Sequence, residues 1–181
     1  MINWYDKAGN LSEKVVTEFR STLLAWYDQK GRTHLPWRTN TLPYHVWISE
    51  IMLQQTQVET VIPYYERFLA ELPTVKALAC ADEELLLKLW SGLGYYSRVR
   101  NMQKAAQQVM TDFDGEFPTT AKSLQTLAGI GPYTAAAIAS ISFGEAVPAL
   151  DGNMFRVFSR LLKIEADIAQ PKSRQVFYDL I

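Results

Sequence analysis

Two acidic residues stand in unlike surroundings along this chain, and unlike carboxyl groups are what cleavage of a glycosidic bond requires. One delivers a proton to the leaving group; the other holds negative charge beside an oxocarbenium-like sugar. Glu50 lies within Val46-Trp-Ile-Ser-Glu-Ile-Met-Leu53, with apolar residues on both sides, which puts its carboxyl at a core or cleft wall. Desolvation there raises a carboxyl pKa and keeps the group protonated, as a general acid must be. Asp151, in Ala149-Leu-Asp-Gly-Asn153, directly precedes the helical pattern Phe155, Phe158, Leu161 and Leu162. That is an N-cap position, where backbone N–H donors and the positive helix end favour the ionised form. Each residue also has an ordinary alternative: a surface Glu on an amphipathic helix, and an Asp that does nothing but cap.

A second feature has the chemistry of phosphate binding. In Leu127-Ala-Gly-Ile-Gly-Pro-Tyr-Thr134, Gly129 and Gly131 permit the positive φ of a tight turn and Ile130 anchors it. Pro132 suits the first helical position, so the helix that follows presents unpaired backbone N–H groups to an anion. Gly-x-Gly by itself also serves ordinary helix-turn-helix connections. Gly92-Leu-Gly-Tyr-Tyr-Ser97 repeats the design, each turn having a short leucine-containing helix before it and a longer helix after it. Arg98, Arg100 and Lys104 follow that first turn; they read either as a basic patch for nucleic acid or as a solvated helix face. A phosphate contact supplies position and affinity without sequence information.

The elements that must position these groups are helices. Val16, Phe19, Leu23, Trp26 and Tyr27 recur with helical spacing ahead of Gly31, and similar patterns predict helices near 44–60, 63–70, 82–90, 96–112, 120–127, 132–142 and 153–163, with another beginning near Lys172. No sustained period-two alternation appears, so the fold class is all-α. The 181 residues, 48% hydrophobic and 12% aromatic, suffice for one or two compact domains. The formal net charge of -1 carries no global basic field, so any nucleic-acid binding must be local. No stretch reaches the roughly 20 apolar residues that span a bilayer, and the start lacks a signal-peptide pattern; the expected compartment is the cytoplasm, the expected state a monomer. The lone cysteine, Cys80, excludes an internal disulfide and is expected to fill core.

Taken together, Leu35-Pro-Trp-Arg38, Pro43-Tyr44, Trp47-Ile-Ser-Glu-Ile-Met-Leu-Gln-Gln-Thr-Gln57, Gly92-Leu-Gly-Tyr-Tyr-Ser97, Gly129-Ile-Gly-Pro-Tyr-Thr134 and Leu150-Asp-Gly-Asn153 occur in the order and approximate spacing of the MutY-type adenine DNA glycosylases. The chain from about residue 20 onward resembles that family, part of the helix-hairpin-helix DNA glycosylase superfamily that includes endonuclease III. The resemblance makes Glu50 the acid at adenine N7 and Asp151 the carboxylate that stabilises or traps the sugar cation, with Tyr133 and Asn153 in support. Bifunctional relatives carry at the Tyr133 position a lysine that forms a Schiff base; tyrosine implies base removal without strand cleavage. Trp37, Arg38 and Leu53 would line the pocket for a flipped adenine. Gln55 and Tyr95 would be wedges in the duplex, Thr56 and Leu93 would border 8-oxoguanine, and Gly129, Gly131, Tyr133 and Thr134 would bind the DNA backbone.

The resemblance also implies two helical subdomains with the active site in the cleft between them: residues 36–147, containing the hairpin at about 120–142, and residues 1–35 together with 148–181. The implied partner is double-stranded DNA carrying adenine opposite 8-oxoguanine or guanine, with no membrane, and a monovalent cation held at the hairpin. Family members continue into a four-cysteine segment holding a 4Fe-4S cluster and into a further domain. Those ligands are absent from these residues, so the chain is expected to be a truncated form, poorly stable and weakly active alone.

Overall fold

The computed structural model describes residues 11–180. Among them the chain forms ten α-helices joined by short turns, in agreement with the all-α reading. It divides into two compact units, Met1–Leu35 and Pro36–Ile181. The first holds α1 (Glu13–Lys30), which ends at Gly31, whose N–H donates to the Tyr27 carbonyl. Leu23, Leu24 and Trp26 of α1 are exposed.

The second unit begins with a single 3-10 turn at Pro36–Arg38 and continues through α2 (Pro43–Met52), α3 (Val58–Glu71), α4 (Val75–Cys80), α5 (Glu83–Trp90), α6 (Ser97–Asp112), α7 (Ala121–Leu124), α8 (Pro132–Phe143), α9 (Gly152–Leu162) and α10 (Pro171–Leu180). The core is built around α2, which packs against α8 and α3. Tyr44, Val46, Trp47, Ile48, Ser49, Ile51 and Met52 are all buried, so α2 is surrounded on most of its circumference, as its nearly unbroken apolar run requires. Complete burial of Ile48 and Met52 contributes about 1.5–3 kcal/mol each and fixes the backbone on either side of Glu50. The facing stretch of α8, Thr134 to Ala139, is buried too; its small side chains let the two helices approach closely.

Two boundaries differ from the periodicity. The spacing predicts one helix over 44–60 and another over 63–70, but α2 stops at Met52 and α3 starts at Val58. Gln55 adopts a left-handed φ of 58°, which no α-helix accommodates, and apolar spacing carries no signal for a single such residue. Pro63 then stands inside α3 rather than at its start. The six-residue α4 was not anticipated, being too short to show a period; Thr74 caps it by accepting from the Ala77 N–H at 3.1 Å. Cys80, expected in the core, is exposed, because Leu78 and Ala79 occupy the buried side of α4.

Beyond α8 a separate small core forms. Leu150, Phe155 and Phe177 are buried together, with Met154, Phe158 and Ile164 packed on them. The Phe155 and Phe177 rings meet edge to face at 4.9 Å. This cluster holds the start of α9, and so Asp151.

Candidate active site

Glu50 lies near the end of α2, and it is half-buried. Burial raises its carboxyl above the ordinary range; a hydrogen bond from the Tyr133 hydroxyl and the nearby Arg38 cation pull it back, while the negative Asp151 pushes it up again. The sum is upward, so the protonated form persists to higher pH than for a solvated glutamate. Tyr133, the second residue of α8, is itself driven well above its usual value by burial and by the charge of Glu50, and therefore stays a neutral donor. Its residue surface is 39% exposed.

Asp151 is the N-cap of α9, as its sequence position predicts. One carboxylate oxygen accepts from the Met154 N–H at 2.8 Å, and the other accepts from the Asn153 side-chain amide at 2.9 Å. Arg156 donates in turn to the Asn153 carbonyl oxygen at 3.0 Å, which holds the amide with its N–H toward Asp151. The fold thus brings Glu50, Tyr133 and Asp151 together from three helices, with Asn153 orienting the last. Beside Tyr133, a cavity of about 370 Å³ is lined by Leu150, Phe155, Arg174 and Tyr178 among others.

The second hairpin joins α7 to α8. Gly129 has φ 73°, and a Cβ there would lie 2.7 Å from the Asn101 Cβ, so both the conformation and the space demand glycine. Gly131 departs from expectation: at φ -84° it is extended, serving as the N-cap of α8. It has no side chain to cap the first turn, so the N–H groups there have no side-chain cap, and uncapped N–H groups at a helix start favour an anion. Ile130 is buried and Pro132 takes the first helical position, as expected. The Thr134 side chain is buried, leaving its backbone as the part of it at the helix start. Two residues of α6 brace this turn: Asn101 packs under Gly129, and the Gln108 side chain accepts from the Ala128 N–H at 2.7 Å.

The first hairpin, between α5 and α6, shares only part of that design. Gly92 has φ 101° and Gly94 φ 69°, and Gly92 lies against the Tyr64 hydroxyl, where any Cβ would collide. Leu93 is buried, whereas Tyr95 is 69% exposed with a left-handed φ of 47°. Gln55 is also exposed and left-handed, and Thr56 beside it is half-buried. The basic cluster does not survive as a patch. Arg98 turns inward to backbone carbonyls at the end of α2 and in the Gly92 turn, and Arg100 pairs with Glu83 at 2.9 Å; Lys104 is left exposed.

Trp37 is buried, its ring edge to face with Tyr65 at 5.5 Å. Burial pushes the Tyr65 hydroxyl up to about 12. Arg38 is exposed and acts on Glu50 electrostatically, and Leu53, the C-cap of α2, is half-buried. The bracing by Asn101 and Gln108 left no mark in the sequence, since neither belongs to a motif. As for an iron-sulfur cluster, the chain has one cysteine, and among the described residues no three His, Cys, Asp or Glu gather as metal ligands. A four-thiolate cluster does not fit these residues.

Comparison with known proteins shows the family and the fold. Residues 48–180 match the family described as HhH-GPD superfamily base excision DNA repair protein. The adenine DNA glycosylase of Mus musculus is 50% identical over 161 residues, covering 84% of this chain and 31% of that protein. The adenine DNA glycosylase of Buchnera aphidicola subsp. Baizongia pistaciae is 47% identical over 146 residues, covering 81% and 42%. The chain therefore spans less than half the length of these relatives. Among solved structures, a thermostable thymine-DNA glycosylase superimposes with a TM-score of 0.80 at 24% identity, over 91% of this chain and 77% of that one. A non-covalent endonuclease III–DNA complex gives 0.75 at 20% identity, over 94% and 78%. At those identities the likeness is one of fold.

Proposed function

Because the chain belongs to the HhH-GPD superfamily of base excision DNA repair proteins, we propose that it forms the catalytic part of an adenine DNA glycosylase. Its reaction is hydrolysis of the N-glycosidic bond of adenine opposite 8-oxoguanine or guanine in double-stranded DNA, leaving an abasic site. The observation that carries this reading is the desolvated Glu50 carboxyl, hydrogen-bonded by Tyr133 and within electrostatic reach of Asp151. In the reaction, Glu50 donates its proton to N7 of the extruded adenine, and the glycosidic electron pair leaves with the base. Asp151 stabilises the cationic sugar or bonds to its C1′. Water then adds its hydroxyl to C1′ and returns a proton to a carboxylate of the pair, so adenine and a hydrated abasic sugar are the products.

Tyr133 and Asn153 act as supports: the first by donating to Glu50, the second by holding the Asp151 carboxylate. No lysine stands at position 133, which favours base removal without a Schiff base. Trp37, Arg38 and Leu53 are assigned to the adenine pocket. Gln55 and Tyr95, exposed at two adjacent turns, are assigned to the duplex interior, with Thr56 and Leu93 beside the opposing lesion. The hairpin from Gly129 to Thr134 binds a phosphate through α8's first turn, and its carbonyls take a monovalent cation. The helical body of 36–147 supplies Glu50 and Tyr133, and the segment 148–181 supplies Asp151.

Single-turnover assays on duplexes with adenine opposite 8-oxoguanine, adenine opposite guanine, and thymine opposite guanine test the proposal. Release of adenine from the first two is expected. Release of thymine alone would refute the adenine assignment, and duplex binding without release of any base would reduce the chain to a binding module.

A further inference from the structure

Arg98, the second residue of α6, donates through its two terminal nitrogens to five backbone carbonyls. One terminal nitrogen, Nη1, donates to the carbonyls of Ile51 at 3.0 Å, Met52 at 3.3 Å and Gln54 at 2.6 Å. The other, Nη2, donates to Leu93 at 2.9 Å and Gly94 at 3.2 Å. The guanidinium also lies over the Trp90 ring at 5.3 Å and the Tyr95 ring at 5.7 Å, and Trp90 Nε1 shares the Gly94 carbonyl at 3.0 Å. The acceptors come from two places far apart in sequence: the C-terminal end of the Glu50 helix with the turn after it, and the Gly92 turn.

The Gln54 carbonyl belongs to the peptide plane that leads into Gln55, and the Gly94 carbonyl to the plane that leads into Tyr95. Both following residues are left-handed and exposed, with φ 58° and 47°. L-residues avoid this conformation unless their surroundings impose it. A planar guanidinium with two forked nitrogens can hold both planes in one fixed relation; a lysine ammonium, a single point of charge, cannot.

We propose that Arg98 is a positioning residue that joins these two peptide planes, and thereby sets the separation and direction of Gln55 and Tyr95 as a pair while anchoring the end of the Glu50 helix. This rests on the glycosylase reading, in which that pair enters the duplex. Arg98 touches no substrate. Its effect is on how the DNA is distorted and how the adenine meets Glu50, and duplex affinity depends mainly on phosphate contacts elsewhere.

The test uses Arg98→Lys and Arg98→Ala with duplexes carrying 2-aminopurine beside the target adenine, whose fluorescence reports unstacking. Expected for Arg98→Lys are a thermal melt that stays well above the assay temperature, nearly unchanged duplex affinity, loss of the unstacking signal, and single-turnover excision lowered about 100-fold, the scale of a small misplacement at a reacting centre. Arg98→Ala is expected to regain part of the signal when guanidinium ion is added below unfolding concentrations. If Arg98→Ala fails to fold, Arg98→Lys, which keeps the charge and stem, decides alone. Wild-type unstacking by Arg98→Lys overturns the proposal. So does a lowered melting point with unstacking restored on cooling, which would make Arg98 a fold-stabilising residue only. A wild-type protein that unstacks the duplex yet releases no adenine would refute the glycosylase reading, and Arg98 would still be judged on the unstacking signal.

Discussion

Replacing Asp151 separates its two duties, because its cap and its charge respond to different substitutions. Asp151→Ala removes the acceptor for the Met154 N–H, an N-cap loss of about 1 kcal/mol, with a range of roughly 0.5–2. In a domain of this size that lowers Tm by about 2–4 °C. Asp151→Asn keeps an oxygen for Met154, since Asn caps as well as Asp. Its new amide nitrogen, however, meets the Asn153 amide, which now donates to the second Asp151 oxygen. Asn153 can turn to present its oxygen, but it then loses the bond from Arg156. That bond is exposed, so the net cost stays below about 1 kcal/mol. Excision follows the charge: both variants should lose at least about 100-fold in single-turnover rate, the cost of removing one preorganised electrostatic partner. Asp151 also raises the Glu50 pKa, so any residual activity of Asp151→Asn should have its alkaline limb at lower pH than wild type. Thermal melts and rapid-quench excision assays across pH measure both quantities. Near-normal excision by Asp151→Asn, with the melt of Asp151→Ala lowered, would show that the carboxylate is only a cap and refute its role at the sugar.

Glu50→Gln should abolish most excision, by about 100- to 10,000-fold, while duplex binding measured by anisotropy survives; unchanged excision would remove Glu50 from the mechanism. Because the folded pKa of Glu50 is raised by burial, wild-type stability is full below the unfolded value and falls as pH rises through the folded one. Glu50→Gln should therefore melt higher than wild type at neutral pH, and the gain should vanish on acidification. Tyr133→Phe removes a donor that lowers the Glu50 pKa; excision should slow by about tenfold, with its alkaline limb moved to higher pH, and a limb moved downward would contradict the hydrogen bond's direction. Gly129→Ala combines a φ of 73° with a Cβ 2.7 Å from Asn101, and should cost more than about 1 kcal/mol and weaken duplex binding; a wild-type melt would show that the turn adapts freely.

Much of the site was legible along the chain because its logic is local. The Asp151 cap depends on residues 151–154, and the hairpin on Pro132 at a helix start and Ile130 buried behind it, so neighbouring residue types suffice to infer them. The setting of Glu50 was legible too, because an apolar run on both sides leaves an α-helix nowhere to put that face but inside. Less was visible where a conformation depends on distant partners. Gly129 and Gly131 look equivalent in sequence, yet only the first faces Asn101 and takes a left-handed φ. The break between α2 and α3 at Gln55 was hidden, since a left-handed glutamine has no periodic signature.

By itself, then, the sequence determined that the chain is helical and that a glycine turn leading into a helix lies at residues 127–134, and it marked two carboxyl groups as candidates. Only the tertiary structure decided that Tyr133 donates to Glu50 near Asp151, since these residues lie 18 or more positions apart and meet through the packing of α2 on α8 and the small core at α9. It also decided the fate of Arg98. A basic residue after a glycine turn reads as a surface charge, but backbone carbonyls at the end of α2 and in the Gly92 turn converge on this one guanidinium. A guanidinium is the side chain whose several donors can satisfy them at once.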